Sequence, residues 1–164
     1  MDALDRPTPP EPTTTPGAGS HDRLRAMRRL DTAEALQLLA GVSLGRVVFT
    51  RDALPAIRPV NHLVEDGEII IRTHEGAALT NAAGQGSPDG IVVAYEADQI
   101  DPATHTGWSV VVTGYARLVT DPDDAERYAR QLHPWVDQAM DCTIRIHPEE
   151  VTGFRLTTRP PATP

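Results

Sequence analysis

The stretch Val60-Asn61-His62-Leu63-Val64-Glu65-Asp66-Gly67-Glu68-Ile69-Ile70-Ile71-Arg72-Thr73-His74-Glu75-Gly76-Ala77-Ala78-Leu79 decides the fold. Two apolar runs flank Asp66-Gly67, a strong local signal for a β-hairpin. A two-residue turn sets Glu65 opposite Glu68, Leu63 opposite Ile70, His62 opposite Ile71 and Asn61 opposite Arg72. Opposed residues share a face of the sheet. An amide and a guanidinium therefore stand side by side. The chain then passes through Thr73 and Gly76 into a short helical stretch. A polar pair, a threonine and a glycine opening a helix suit an anionic ligand better than a plain core.

Outward from the hairpin, Asp31 is an N-cap with Glu34 three residues on, and Gly41 closes a helix over 32–40. Strands are expected over about 44–50, 56–64 and 68–73, with a short helix over 76–83. A turn-rich loop at 84–90 leads into a strand over 91–97. Residues 98–106 read as a polar loop and 108–119 as a long strand. Asp121-Pro122 is a cap followed by proline in the first helical turn. Ala125, Tyr128, Ala129 and Leu132 fit one face of that helix. A strand over 143–146, a turn at 148–150 and a last strand over 151–156 complete the chain. The pattern is mainly β, with about seven strands and two or three short helices. Short connections favour an antiparallel sheet, closed or half-open as a small barrel.

At 164 residues the chain is one domain with tails. Residues 1–20 are rich in proline and threonine and are expected to be disordered. Residues 21–30 read as a basic lead-in, either a short helix or a solvated segment. The domain spans 31–157, and 158–164 form a flexible tail. Cys142 is the sole cysteine, which rules out an intrachain disulfide and a cysteine-based zinc site. It reads as an inert core thiol. The net charge of −8 argues against generic nucleic-acid binding. No apolar run reaches membrane-spanning length, and the N-terminus lacks an apolar leader core, so a cytoplasmic location is expected. All 15 basic residues are arginine.

Arg72 either pairs with Glu75 at a strand end or aims its fork at a phosphate. Thr73 can add a hydroxyl, and Gly76 allows close backbone approach. Asn61 needs hydrogen-bond partners if buried, from a planar heterocycle or from Arg72 and nearby backbone. Arg58-Pro59 marks an edge, a bulge or a strand start. Trp108-Ser109 opens the long strand after Gly107; the indole is a core or interface anchor, or the wall of a flat ligand. No histidine pair has metal-site spacing. No nucleophile elbow or lysine-bearing phosphate loop occurs, and no catalytic side chain is singled out.

Gly45-Arg46-Val47-Val48-Phe49, Pro59-Val60-Asn61-His62, Ile71-Arg72-Thr73, Gly107-Trp108-Ser109-Val110, Ile146-His147-Pro148-Glu149 and Val151-Thr152-Gly153 follow one another in an order that resembles the pyridoxamine 5'-phosphate oxidase-like superfamily, especially its small actinobacterial members. The resemblance covers roughly 30–157. It implies a flavin-binding split β-barrel of six or seven strands, a homodimer, and two cofactor sites at the dimer interface. By that resemblance Val60 and Asn61 line the flavin ring, and Arg72 and Thr73 face the phosphate or ring edge. Gly76 to Leu79 cap the phosphate. Trp108 and Ser109 approach from the long strand, in this chain or its partner.

Two departures stand out. Ala78 replaces a lysine that relatives often aim at the phosphate, leaving Arg58 as a substitute. His62 stands where tyrosine is common, beside the expected pocket. The implied function is an FMN-dependent oxidoreductase acting on a small molecule, with a deazaflavin as a close variant. The alternative is a flavin or haem carrier or sensor without turnover, with His62 or His74 as the axial ligand for haem. A dimer that has lost its ligand is a third reading.

Overall fold

Asp66 (φ 52°) and Gly67 (φ 79°) form the expected turn in a computed structural model that describes residues 25–74, 77–85, 89–133, 135 and 139–158. Both residues take the left-handed conformation of a hairpin turn whose twist matches its strands. The strands on either side are β3 (Leu54–Glu65) and β4 (Glu68–Thr73). Their ladder runs from Glu65 opposite Glu68 to His62 opposite Ile71, in the register read from the sequence. It ends one pair short of Asn61 and Arg72. Asn61 pairs instead with Leu44 of β2 (Leu44–Arg51), and Arg72 with Thr143 of β7 (Cys142–Thr158).

The remaining elements are β1 (Arg25–Arg29), α1 (Thr32–Ala40), α2 (Ala78–Gln85), β5 (Ile91–Asp101), β6 (Thr106–Leu118) and α3 (Pro122–Gln131). All strand pairings are antiparallel, in the order β1-β7-β4-β3-β2-β5-β6. β6 also pairs with β7, so β2 to β7 close into a ring and β1 adds to its rim. The closing contact between β2 and β5 is short, from Arg46 to Val48. This is a mainly β split barrel with three short helices.

Period-two alternation fills the interior. Val47 and Phe49 on β2, Ile69 and Ile71 on β4, Val93 and Tyr95 on β5, and Val110 and Val112 on β6 are buried in one core. α1 adds Ala35 and Leu39 to it. Asp31 Oδ1 caps this helix by accepting from the Glu34 amide at 2.8 Å. Asp121 caps α3 by accepting from the amides of Asp123 and Asp124, both at 3.0 Å, with Pro122 in the first turn.

The structure corrects four expectations. Residues 25–29 of the basic lead-in form a strand, because they pair with the end of β7. The polar segment 98–106 is mostly strand: pairing of β5 with β6 continues to Asp101 opposite Thr106. Residues 98–101 are exposed where β5 has run past its pairing with β2 and forms an edge of the sheet, so an apolar alternation is not required. α2 runs to Gln85, into the expected loop. The expected turn at Pro148 lies inside β7, which is continuous. The β6–β7 register shifts between Thr113 and Gly114, leaving Pro148 opposite Gly114. A bulge is where a strand tolerates proline. Gly114 is needed there, since an added Cβ would lie 2.0 Å from the His147 carbonyl oxygen. No helix among the described residues is long and apolar enough to cross a membrane.

Candidate functional site

A cavity of about 720 Å³ opens between the β2–β3 hairpin, the end of β4 and α2. Its apolar wall is Val47 and Phe49 with Val60 and Leu79. Arg58 comes from β3, and Arg72, Thr73 and His74 come from β4 and the residue after it. Ala78 lies on the wall. Of the residues singled out in the sequence, Arg58, Val60, Arg72, Thr73 and Leu79 are thus brought together. Gly76 lies outside the described residues.

Strand register explains the placement. Arg58 is opposite Val47, and Arg51 lies on the same face of β2 as Val47 and Phe49. Val47 and Phe49 are buried, whereas Arg51 and Arg58 are exposed. Both arginines therefore stand on the core-facing side of their strands, where the sheet outruns the core and becomes cavity wall. Arg51 was not foreseen. The signal was the alternation Gly45, Val47, Phe49, Arg51, read against the Arg58 position. Arg51 Nε lies 3.5 Å from Asp52 Oδ2. Arg58 Nη1 donates to the carbonyl of Ile57 at 2.7 Å.

Arg72 is the most constrained cation of the cavity. It is half-buried, and Nη1 donates at 3.4 Å to the carbonyl of Leu132, at the end of α3. Its Nε is buried and finds no hydrogen-bond partner among the described residues. A buried donor without an acceptor is costly. Thr73 is buried at the same end. Asn61 does not line the cavity; its Nδ2 donates to the carbonyl of His133 at 2.6 Å.

Trp108 is 5% exposed and belongs to the barrel core, and Ser109 is half-buried. Neither lines the cavity.

His62 sits inside the barrel, 4% exposed, and does not line the cavity. Its Nε2 lies 2.9 Å from the Leu39 carbonyl oxygen, and its Nδ1 lies 2.8 Å from the Tyr95 hydroxyl. A carbonyl only accepts, so Nε2 carries the proton, and Tyr95 donates to Nδ1. Burial pushes the imidazole pKa down, which keeps the ring neutral. Both ring nitrogens are committed, so His62 is no axial ligand for haem; His74 is the histidine on the cavity wall.

A second hollow of about 510 Å³, between β6, β7 and the start of α3, gathers none of the residues singled out from the sequence. Among the described residues no group of three or more His, Cys, Asp or Glu side chains is placed to hold a metal ion.

A model of the pyridoxamine 5'-phosphate oxidase family matches residues 31–155, and the chain belongs to that family. The chain is 55% identical over 144 residues to the uncharacterized protein Rv0080 of Mycobacterium tuberculosis, covering 87% of this chain and 95% of that one. It is similar to a Corynebacterium glutamicum protein named for the same oxidase, at 37% identity and a TM-score of 0.66, covering 82% of this chain and 96% of the other. It is also similar to an FAD-binding protein of Mycobacterium smegmatis, at 34% identity and a TM-score of 0.59, covering 79% and 98%.

Proposed function

We propose that the cavity binds a flavin through its phosphate and that the protein is a flavin-dependent oxidoreductase acting on a small molecule. The guanidinium-bearing Arg72 at the wall of a ligand-sized cavity carries this reading, because its planar fork suits a phosphate. Arg58 and Thr73 add a cation and a hydroxyl to the lining of the same cavity. Val47, Phe49 and Val60 give an apolar surface suited to a flat ring. The FAD-binding relative supports a flavin. FMN is the expected form, with a deazaflavin as the variant. A bound flavin supplies the hydride chemistry, and the chain's residues bind and orient it and keep water away.

The working unit is a homodimer. Val48 is opposite both Ile57 and Ala94 on the outer face of the sheet. Ile57 and Val92 are 55% and 61% exposed. An apolar face spread over β2, β3 and β5 suits a second copy of the chain, and the partner is then the source of further ring contacts.

Titration of the ligand-stripped protein with FMN, followed by flavin fluorescence, tests the reading. Saturable binding of one flavin per subunit is expected. Arg72→Ala lowers affinity by at least about tenfold, because a contact to phosphate is charge-assisted. Unchanged affinity in that variant removes Arg72 from the phosphate site. The second reading, flavin held without turnover, rests on Ala78 at the cavity wall. Oxidation of a nicotinamide donor with an artificial acceptor separates the two.

A further inference from the structure

Asn61, Glu65 and Arg72 lie on one face of the β3–β4 hairpin, by alternation along β3 and by the register between the strands. Glu65 contacts α3, and Asn61 and Arg72 contact the two residues that follow it. Glu65 accepts from Arg127 Nη1 at 2.6 Å and from the Tyr128 hydroxyl at 2.6 Å. Tyr128 is 1% exposed, and Arg145 of β7 also donates to its hydroxyl, at 3.2 Å. One helical turn later the Leu132 amide donates to the Tyr128 carbonyl at 2.8 Å. α3 ends there without a left-handed glycine cap; Leu132 has φ −111° and ψ 87°. The two residues that follow the helix present their carbonyls to the hairpin. Asn61 takes the His133 carbonyl, and Arg72 takes that of Leu132.

We infer that α3 is a positioning element for the anion site: Glu65 and Tyr128 pin one part of the helix to the hairpin, Asn61 pins its end, and the Leu132 carbonyl held between them orients Arg72 toward the cavity. The inference rests on the flavin reading above. An arginine on a strand has long, rotatable methylenes, and fixing one of its donors reduces the freedom lost when the others meet a ligand. Guanidinium has five N–H donors, so the one given to Leu132 leaves donors on the terminal nitrogens for an anion. Glu65, Tyr128 and Asn61 are positioning residues, because they act through Arg72.

The test is a double-mutant cycle read by FMN titration of the full-length protein. Tyr128→Phe removes one hydroxyl and Glu65→Gln one charge, and thermal unfolding checks that each variant folds. Each is expected to weaken FMN binding about three- to tenfold with Arg72 present. In the Arg72→Ala background the same changes are expected to cost less than about twofold. Equal losses in both backgrounds mean a general loosening and overturn the inference. So does full affinity in both variants. Failure of the wild-type protein to bind FMN is a separate result, which overturns the flavin reading and this inference with it.

Discussion

The Nδ1 of His62 and the hydroxyl of Tyr95 meet at 2.8 Å inside the barrel, with the two rings edge to face at a centroid distance of 5.1 Å. With the Leu39 carbonyl on Nε2, this pair joins α1, β3 and β5 through buried polar groups. Tyr95→Phe leaves a buried Nδ1 without a donor. The cost is about 1–3 kcal/mol, or a fall in Tm of about 2–4 °C for each kcal/mol in a chain of this size. FMN affinity is expected to stay close to that of the wild type, since neither ring lines the cavity. Thermal unfolding and FMN titration of the one variant check both parts. A drop in affinity with no drop in Tm would place the pair in the ligand site instead of the core.

The same pair predicts a pH dependence. Burial lowers the folded-state pKa of His62 below its ordinary value of 6.5. The unfolded chain then binds the proton more readily than the folded one. Stability from this group is present above pH 6.5 and falls as pH drops from there toward the folded pKa. A second loss begins lower. Glu65, held below its ordinary 4.5 by the hydrogen bonds from Arg127 and Tyr128, loses its advantage as pH falls from 4.5 through the folded value. Urea midpoints measured from about pH 8 down to about pH 3 should show both steps. His62→Gln should flatten the upper step and leave the lower one. An upper step that survives the substitution belongs to another group.

Gly45 makes room for this arrangement. A Cβ there would lie 2.5 Å from the Tyr95 hydroxyl and 2.7 Å from the Glu96 carbonyl oxygen. The first is the tip of a buried side chain already bound to His62, and the second is backbone, so neither yields cheaply. Gly45→Ala is expected to destabilise by about 1–3 kcal/mol, measured by urea unfolding. Combined with Tyr95→Phe the loss should be less than the sum, because part of the clash goes with the hydroxyl. Full additivity would mean that the Tyr95 ring carbon at 2.6 Å and the Glu96 carbonyl at 2.7 Å, which both remain, carry the strain.

The hairpin was legible because Asp66-Gly67 fixes the turn, and the turn fixes every later pair. From it followed the common face of Asn61 and Arg72, whereas the family resemblance came from the order of six segments along the whole domain. What both residues donate to was not legible. The carbonyls of Leu132 and His133 follow a helix and lie 60 and 72 residues on from Arg72 and Asn61, and such segments are placed by tertiary packing. The lead-in strand escaped for a related reason: Arg25 to Arg29 have no apolar alternation, and they are a strand only because β7 is there to pair with. Pro148 suggested a turn because proline breaks ladders. The bulge opposite Gly114 that absorbs it depends on a register no local pattern records. Arg51 was readable in principle from the alternation on β2, but only once Arg58 was known to face the same side.

Ala78 gives the sharpest test of where the phosphate lies. It lies on the cavity wall in the first turn of α2, together with Arg72, Thr73 and Arg58. Ala78→Lys puts an ammonium within reach of the same space, and a new charge-assisted hydrogen bond contributes about 1.5–3 kcal/mol. FMN affinity should therefore rise by about one to two decades. Riboflavin, which lacks the phosphate, should gain nothing. The gain should shrink with added salt, since the new contact is between charges near the surface. Equal gains for FMN and riboflavin would show that the lysine acts on the ring. No gain for either would put the phosphate away from α2, and leave Arg58 and Arg72 to hold it from the strands.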